Sequence, residues 1–330
     1  MESNTLDYNA NKTYHEITYS TKWETYKSDT YFEYRKQWVD LPKNKIIRNF
    51  PLHLDIETTN VCNLKCPMCA RTILLSKKEF ADQGYMTKNE YKNIIDEAVQ
   101  NGVYSIKLNY LGEPLLHKDI KWQINYAKEA GIVDVMLNTN GDLLSKHMSQ
   151  DILEAGIDKI FISFDSISPD IYDIQRKGTS LGKVIDNLYY FCKLRNEKYP
   201  QTHIRISMVM YETPEFLAQF EGLKTMWKNL VDAVGYGFYI EKDFSKMCQF
   251  QKIDGFYCEQ LFQRMFIKYN GNVTVCCVDD KDRYPVGNWR NESLAEIWNG
   301  EKYQQIRQKH INGEYHDINM CSQCYLPVSK

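Results

Sequence analysis

Between residues 52 and 240 the chain alternates short strand-like runs with longer helical ones, and that rhythm leaves few folds open. The strand-like runs are LHLDIE (52–57), SIKLNY (105–110), VDVML (133–137), KIFISF (159–164), HIRISMVM (203–210) and AVGYGFYI (233–240). Helical patterns fill 87–100, 119–130, 146–155, 180–195 and 215–228 between them. Strands joined through a helix return in the same direction and pair in parallel. Right-handed crossovers then curl the sheet one way. The expectation is an α/β chain built on a partial (β/α)6 TIM-like barrel over residues 50–245, with its site at the C-terminal ends of the strands. Residues 1–49 are aromatic and charged and fall outside the repeat. They read as an N-terminal extension that caps the barrel or joins a dimer.

Ten cysteines sit in this chain, and their grouping points to metal. No apolar run reaches the roughly 20 residues of a membrane span, and the polar, acidic N-terminus lacks the order of a signal peptide. The expected compartment is the cytoplasm, where a disulfide framework is disfavoured. Cys62, Cys66 and Cys69 lie within eight residues, close enough to wrap one metal centre. Three thiolates on a [4Fe–4S] cubane leave one iron open for a chelating ligand. Zinc is the alternative, but it needs a fourth ligand, and nearby His53 lies inside a strand-like run. A second group comprises Cys258, Cys276, Cys277, Cys321 and Cys324. Cys276 and Cys277 follow a hairpin with an Asn270-Gly271 turn, and adjacent strand residues face opposite sides. One of the two then joins Cys258, Cys321 and Cys324 in a four-thiolate site for a cluster or for zinc.

With these residues in view, the chain resembles the radical S-adenosylmethionine (SAM) superfamily over about residues 50–240. Cys62-x-x-x-Cys66-x-x-Cys69 after a strand resembles its signature. Leu111-Gly112-Glu113-Pro114 is similar to its Gly-Gly-Glu segment, with Leu111 in place of the first glycine. Met68 stands at the aromatic position between the last two cysteines. LNTNG (137–141), Ser163 and Asp165 in FISFDS, and Arg176 in YDIQRKG resemble the SAM-bordering positions. The resemblance implies a SAM-binding [4Fe–4S] cluster on Cys62, Cys66 and Cys69. It places the SAM amino group at Gly112 and Glu113 and the carboxylate at Arg176. Asn140, Ser163 and Asp165 would meet the sugar and its polar neighbours. It also implies a flavodoxin or ferredoxin as electron donor.

Residues 246–330 resemble the SPASM/Twitch auxiliary-cluster domain in three stretches, CEQLFQRMFIKYNGNVTVCCVDD, VGNWRNESLAEIWNGEKYQQIR and CSQC. The full form uses about seven cysteines for two clusters, and only five lie beyond residue 250 here. A small C-terminal cysteine-rich auxiliary iron–sulfur domain with a single [4Fe–4S] cluster is therefore expected. The resemblance selects Cys276 over Cys277, beside Cys258, Cys321 and Cys324.

Charge excludes little. Lys and Arg total 41 against 43 Asp and Glu, so no global field favours nucleic acid. Cys192 reads as a core thiol of a helix. Cys248, at the junction of barrel and auxiliary module, is either packed or a catalytic hydrogen-atom donor. Three chemistries follow. The first oxidises a carbinol of a small sugar or cyclitol, since the layout resembles the aminocyclitol dehydrogenases of this superfamily. The second is carbon epimerisation with Cys248 as donor, and the third is maturation of a peptide or protein side chain. Tyr236, Tyr239, Glu241 and Asp243 lie near the sixth strand's end without a clear claim to be the base.

Overall fold

The structure is a computed structural model that describes residues 14–80, 82–239, 255–322 and 324. Ten strands among them form one sheet: β1 (Tyr14–Thr18), β2 (His53–Ile56), β3 (Ser105–Lys107), β4 (Asp134–Thr139), β5 (Lys159–Ser163), β6 (His203–Met210), β7 (Ala233–Phe238), β8 (Arg264–Ile267), β9 (Asn272–Thr274) and β10 (Gly287–Asn288). Their order is β1-β7-β6-β5-β4-β3-β2-β8-β9-β10. β2 to β7 pair in parallel in sequence order. The sheet ends at β1 and β10 without closing, so the barrel is partial, as expected.

Strand alternation gives the sheet two unlike faces. Leu54, Ile106, Leu137, Ile160 and Ile206 point to the helices and are fully buried. Each contributes about 1.5–3 kcal/mol of burial, an upper figure because the unfolded chain already hides some of that area. Helix starts follow local chemistry. Thr87 and Glu90 form a reciprocal capping box that opens the helix Lys88–Gln100.

The N-terminal extension joins the sheet. β1 pairs antiparallel with β7, and the helix Asp29–Lys43 lies under the strand starts. There Trp23, Tyr31, Tyr34 and Leu52 form a second apolar cluster. Ser105 Oγ donates to Tyr34 Oη (2.9 Å) and Lys159 Nζ donates to Tyr31 Oη (3.0 Å), so the helix caps the barrel's floor.

At the opposite edge β8 pairs in parallel with β2, and β9 turns back along it. The hairpin expected around Asn270-Gly271 is this β8–β9 pair, with Gly271 at φ +94°. The C-terminal cysteine region is thus continuous with the barrel sheet. No helix among the described residues is long and apolar enough to cross a membrane.

Candidate active site

The cysteine loop leaves the end of β2 and is fastened at several points. Thr59 Oγ1 donates to Gly84 O (2.8 Å) and Arg71 Nε donates to Asn60 O (2.7 Å). Lys65 N–H donates to Lys177 O (2.8 Å), and Cys69 N–H to Cys66 O (3.1 Å). Cys69 then precedes the helix Ala70–Ser76. The loop meets the exit of β3, where Glu113 N–H donates to Val61 O (2.8 Å). A Cβ at Gly112 would drive into the Thr59 carbonyl oxygen and stand 2.8 Å from that of Val61. Leu111 is accommodated, its N–H donating to Glu57 Oε1 (3.1 Å).

Of the polar residues singled out in the sequence, Asn140 and Arg176 reach the cysteine sulfurs, Asp165 pairs with Arg176, and Glu113 is turned to a different task. Its carboxylate accepts from Thr139 Oγ1 (2.8 Å), Asn140 N–H (2.8 Å) and Leu115 N–H (3.1 Å). It is a buried brace between two strand ends, and burial pushes it up to about 7. Asn140 Nδ2 donates to Asn63 Oδ1 (3.0 Å) and stands 4.0 Å from Cys62 Sγ. Asp165 accepts from Val209 N–H (2.9 Å) and pairs with Arg176 Nε (2.6 Å), while Arg176 Nη1 lies 4.0 Å from Cys66 Sγ. Ser163 sits on β5 opposite Ser207. Asn63, which also donates to Asp142 Oδ2 (2.8 Å), was missed by sequence reasoning; its place inside the cysteine motif was the available signal.

This donor set fits a three-thiolate cluster. Two side-chain N–H donors and the Leu64 amide (3.5 Å from Cys62 Sγ) point at the cysteine sulfurs, the contacts that steady anionic sulfur. Burial pushes the Cys62 thiol up to about 11 and raises Cys66 as well. Both hold their protons at neutral pH until a metal replaces them.

In the second group Cys258, Cys276, Cys277, Cys321 and Cys324 line one cavity with Phe256, Val275 and Met320 among its apolar walls. The alternation argument for choosing between Cys276 and Cys277 fails here. β9 ends at Thr274, and both cysteines lie in the turn beyond it. Asp279 closes that turn by accepting from Thr274 Oγ1 (3.0 Å), Arg283 N–H (2.8 Å) and Tyr284 N–H (3.1 Å). Cys276 is partly buried and Cys277 exposed.

His310 is a further residue that the sequence reading overlooked. Its Nδ1 accepts from Cys258 N–H (3.2 Å), which leaves the proton on Nε2, 3.4 Å from Cys321 Sγ. Burial pushes its pKa down to about 4, so it serves as a neutral donor to that sulfur. With Cys276 as the ligand, Cys276→Ala is expected to remove roughly half the bound iron while Cys277→Ala removes little. Iron and sulfide analysis of the two variants checks this, and the reverse pattern would exchange the assignment.

Cys248, Glu241 and Asp243 lie outside the described residues. Cys192 is fully buried in the helix Leu181–Lys198. Tyr239 stacks on Tyr211 at 4.8 Å and Tyr236 on His15 at 4.8 Å.

Comparison with known proteins bears on this arrangement. A probable GTP 3′,8-cyclase of Methanocaldococcus jannaschii is 34% identical over 140 residues, 40% of this chain and 45% of that protein. The chain thus spans less than half the length of that relative. The crystal structure of BtrN in complex with AdoMet and 2-DOIA is similar at a TM-score of 0.55 and 18% identity, over 84% of this chain and 94% of that one. SuiB of Streptococcus suis bound to S-adenosylmethionine gives a TM-score of 0.61 at 18% identity, over 85% of this chain and 74% of that one. At such identities these likenesses speak for a shared fold. The iron–sulfur cluster-binding SPASM domain matches residues 258–325, spanning all five cysteines of the second group. The radical SAM model matches residues 56–221, half of the chain, from the cysteine loop through the ends of β3 to β6. The protein is therefore a member of the radical SAM superfamily, with SAM and a [4Fe–4S] cluster at its barrel site and a SPASM iron–sulfur domain behind it.

Proposed function

We propose that this protein is a radical SAM oxidoreductase that converts a carbinol of a small sugar or cyclitol into a ketone. One observation supports the reading most. The short segment 107–113 touches both cysteine sites. Its Tyr110 Oη donates to Cys276 O (3.0 Å), while Glu113 N–H donates to Val61 O in the cysteine loop (2.8 Å). A substrate lying along this segment has the SAM site at one end and the auxiliary site beside it.

Cys62, Cys66 and Cys69 would hold the SAM-binding cluster and Cys258, Cys276, Cys321 and Cys324 the auxiliary one. Together with SAM these would supply hydrogen-atom abstraction from the carbinol and an acceptor for the electron that leaves as the ketone forms. The chain's own residues do the placing. Glu113 braces the β3 and β4 ends against each other, and the Asp165–Arg176 pair fixes a guanidinium beside Cys66. That guanidinium is offered to the SAM carboxylate, as a charge-assisted contact. A polar strand face, with Ser163 and Ser207 at its upper level, suits hydroxyl-bearing ligands. The hydrogen atom, one proton and one electron that leave the substrate account for its two-electron oxidation. A flavodoxin or ferredoxin provides the reducing electron that opens each turnover.

Substrates deuterated at the carbinol carbon test this in anaerobic assays of the reconstituted protein. The expected result is deuterium in 5′-deoxyadenosine, with one ketone formed per deoxyadenosine. Solvent deuterium entering an otherwise unoxidised sugar would replace the reading by epimerisation. Turnover only with a peptide would replace it by side-chain maturation.

A further inference from the structure

The strand register places an unusual set of charges on the sheet's inner face. Asp55 of β2 lies opposite Lys107 of β3, and Arg205 of β6 lies opposite Phe161 of β5. Asp55, Arg264 of β8, Arg205 and the Cys277 thiol are near enough to act on the Lys107 charge, Asp55 and the thiol attracting it and the arginines repelling it. β3 and β6 are three places apart in the sheet, so Lys107 and Arg205 approach one another only across the lumen of the curled sheet.

Two of these three cations are already matched. Arg264 is held by both carboxylate oxygens of Asp55 (2.6 and 2.6 Å). Arg205 pairs with Glu16 (3.0 Å), donates to Ser207 Oγ (3.2 Å) and packs over the Phe161 ring at 4.1 Å. Asp55 also has His53 Nε2 at 3.5 Å. No carboxylate among the described residues pairs with Lys107. Its carboxylate neighbour, Asp55, is taken up by Arg264 and His53, so Lys107 shares a counter-charge rather than owning one. A partly buried cation in that position gains from an anion that comes to it. Burial, helped by the two arginines, pushes Lys107 down to about 8, so it still carries its charge at neutral pH.

Lys107, Phe161, Ser163, Arg205 and Ser207 on this inner face are all partly exposed, so the face is not packed shut between this level and the strand ends. Below it the floor is closed by Tyr34 against Ser105 and Tyr31 against Lys159. Above it, Asp165 stands four residue steps beyond Phe161 along β5 and its exit, a rise of roughly 13 Å. The lysine side chain reaches over part of that span. What remains is the length of a small molecule whose charged end points down and whose reacting end points up.

We infer that Lys107 is a substrate-anchoring residue and that the substrate is an acid, a sugar or cyclitol bearing a carboxylate or a phosphate monoester. This rests on the sugar- or cyclitol-oxidising reading above. The anion docks on the lysine ammonium through a charge-assisted contact and presents its carbinol carbons toward the strand ends.

Titration calorimetry on the reconstituted full chain tests it, with glucuronate, glucose 6-phosphate and neutral glucose as probes. At least one acid is expected to bind tighter than glucose by about tenfold or more, and the preferred acid tells carboxylate from phosphate. Lys107→Gln should erase that preference and Lys107→Arg should retain most of it, with unchanged iron content and melting temperature showing that both variants are folded. Equal binding of all three probes, or a preference that survives in Lys107→Gln, would overturn the proposal. SAM cleavage by the wild type is measured in parallel. If it is absent, the enzymatic reading fails; if it is present while the preference is absent, only the anchoring role of Lys107 fails.

Discussion

Cys66→Ala is expected to abolish 5′-deoxyadenosine formation and to remove roughly half of the bound iron, given one cluster at each cysteine site. Cys66 is buried, flanked by the Arg176 guanidinium and held in a turn closed by Cys69 N–H. A cubane on this loop has three protein ligands and an open iron, so losing one thiolate leaves two against four irons. The auxiliary cysteines are untouched by the change and serve as an internal standard for correct folding and reconstitution. Deoxyadenosine yield, iron and sulfide content, and the absorption of the remaining cluster are the readouts. Full iron content together with wild-type SAM cleavage would take the catalytic cluster away from Cys66. Loading of the wild-type site should also depend on pH. Burial raises the Cys62 and Cys66 thiols, so metal must displace protons and loading becomes easier as pH rises.

The barrel was legible because its strands repeat a local signal. HIRISMVM became β6 residue for residue, since its alternate apolar positions Ile204, Ile206, Met208 and Met210 all turn to the helices. SIKLNY was read three residues too long. After Lys107 the chain leaves the ladder to lay Tyr110 on Cys276 and Leu111 on Glu57, contacts that no local pattern announces. Residues 1–49 were read as an extension capping the barrel or joining a dimer, but the place of β1 in the sheet was not legible: its edge is set by β7, more than 200 residues away in sequence. At the site, Cys62, Cys66 and Cys69 were readable because they cluster in sequence, whereas the strand-end polar residues, spread from Gly112 to Arg176, were named only through the superfamily resemblance. Asn63 and His310 act only through what folding brings to them. The turn at Cys276 and Cys277 was misread as strand because its geometry is imposed by the Asp279 carboxylate, three hydrogen bonds that spacing does not reveal. Lys107 was read simply as part of a strand. That it has only a shared counter-charge appears only once the register sets it opposite Asp55 and the ion pairs show Asp55 taken by Arg264.

Gly112→Ala carries the second large effect, and its outcome separates two reasons for a glycine at this position. The resemblance to the superfamily assigns the residue to the SAM amino group. The structure adds a closer constraint, for a Cβ there meets the Thr59 and Val61 carbonyl oxygens, which are backbone and cannot swing aside. Glu113, the next residue, is tied to Val61 O, Thr139 Oγ1 and Asn140 N–H, so the segment cannot retreat without breaking the brace between β3 and β4. Overpacking of this kind costs about 1–3 kcal/mol. We expect a lower melting temperature, reduced iron at the barrel site and at least a tenfold loss of SAM cleavage, about 1.4 kcal/mol in the barrier. Gly182→Ala is the matched control: a Cβ there meets nothing within 4 Å, and it lies in the helix Leu181–Lys198. That change should be neutral or stabilise by up to about 1 kcal/mol. If Gly112→Ala keeps its iron and stability and raises only the KM for SAM, the glycine serves the ligand. If iron and stability fall together before any SAM is added, it serves the cysteine loop, and the close approach of two backbones is what excludes a side chain there.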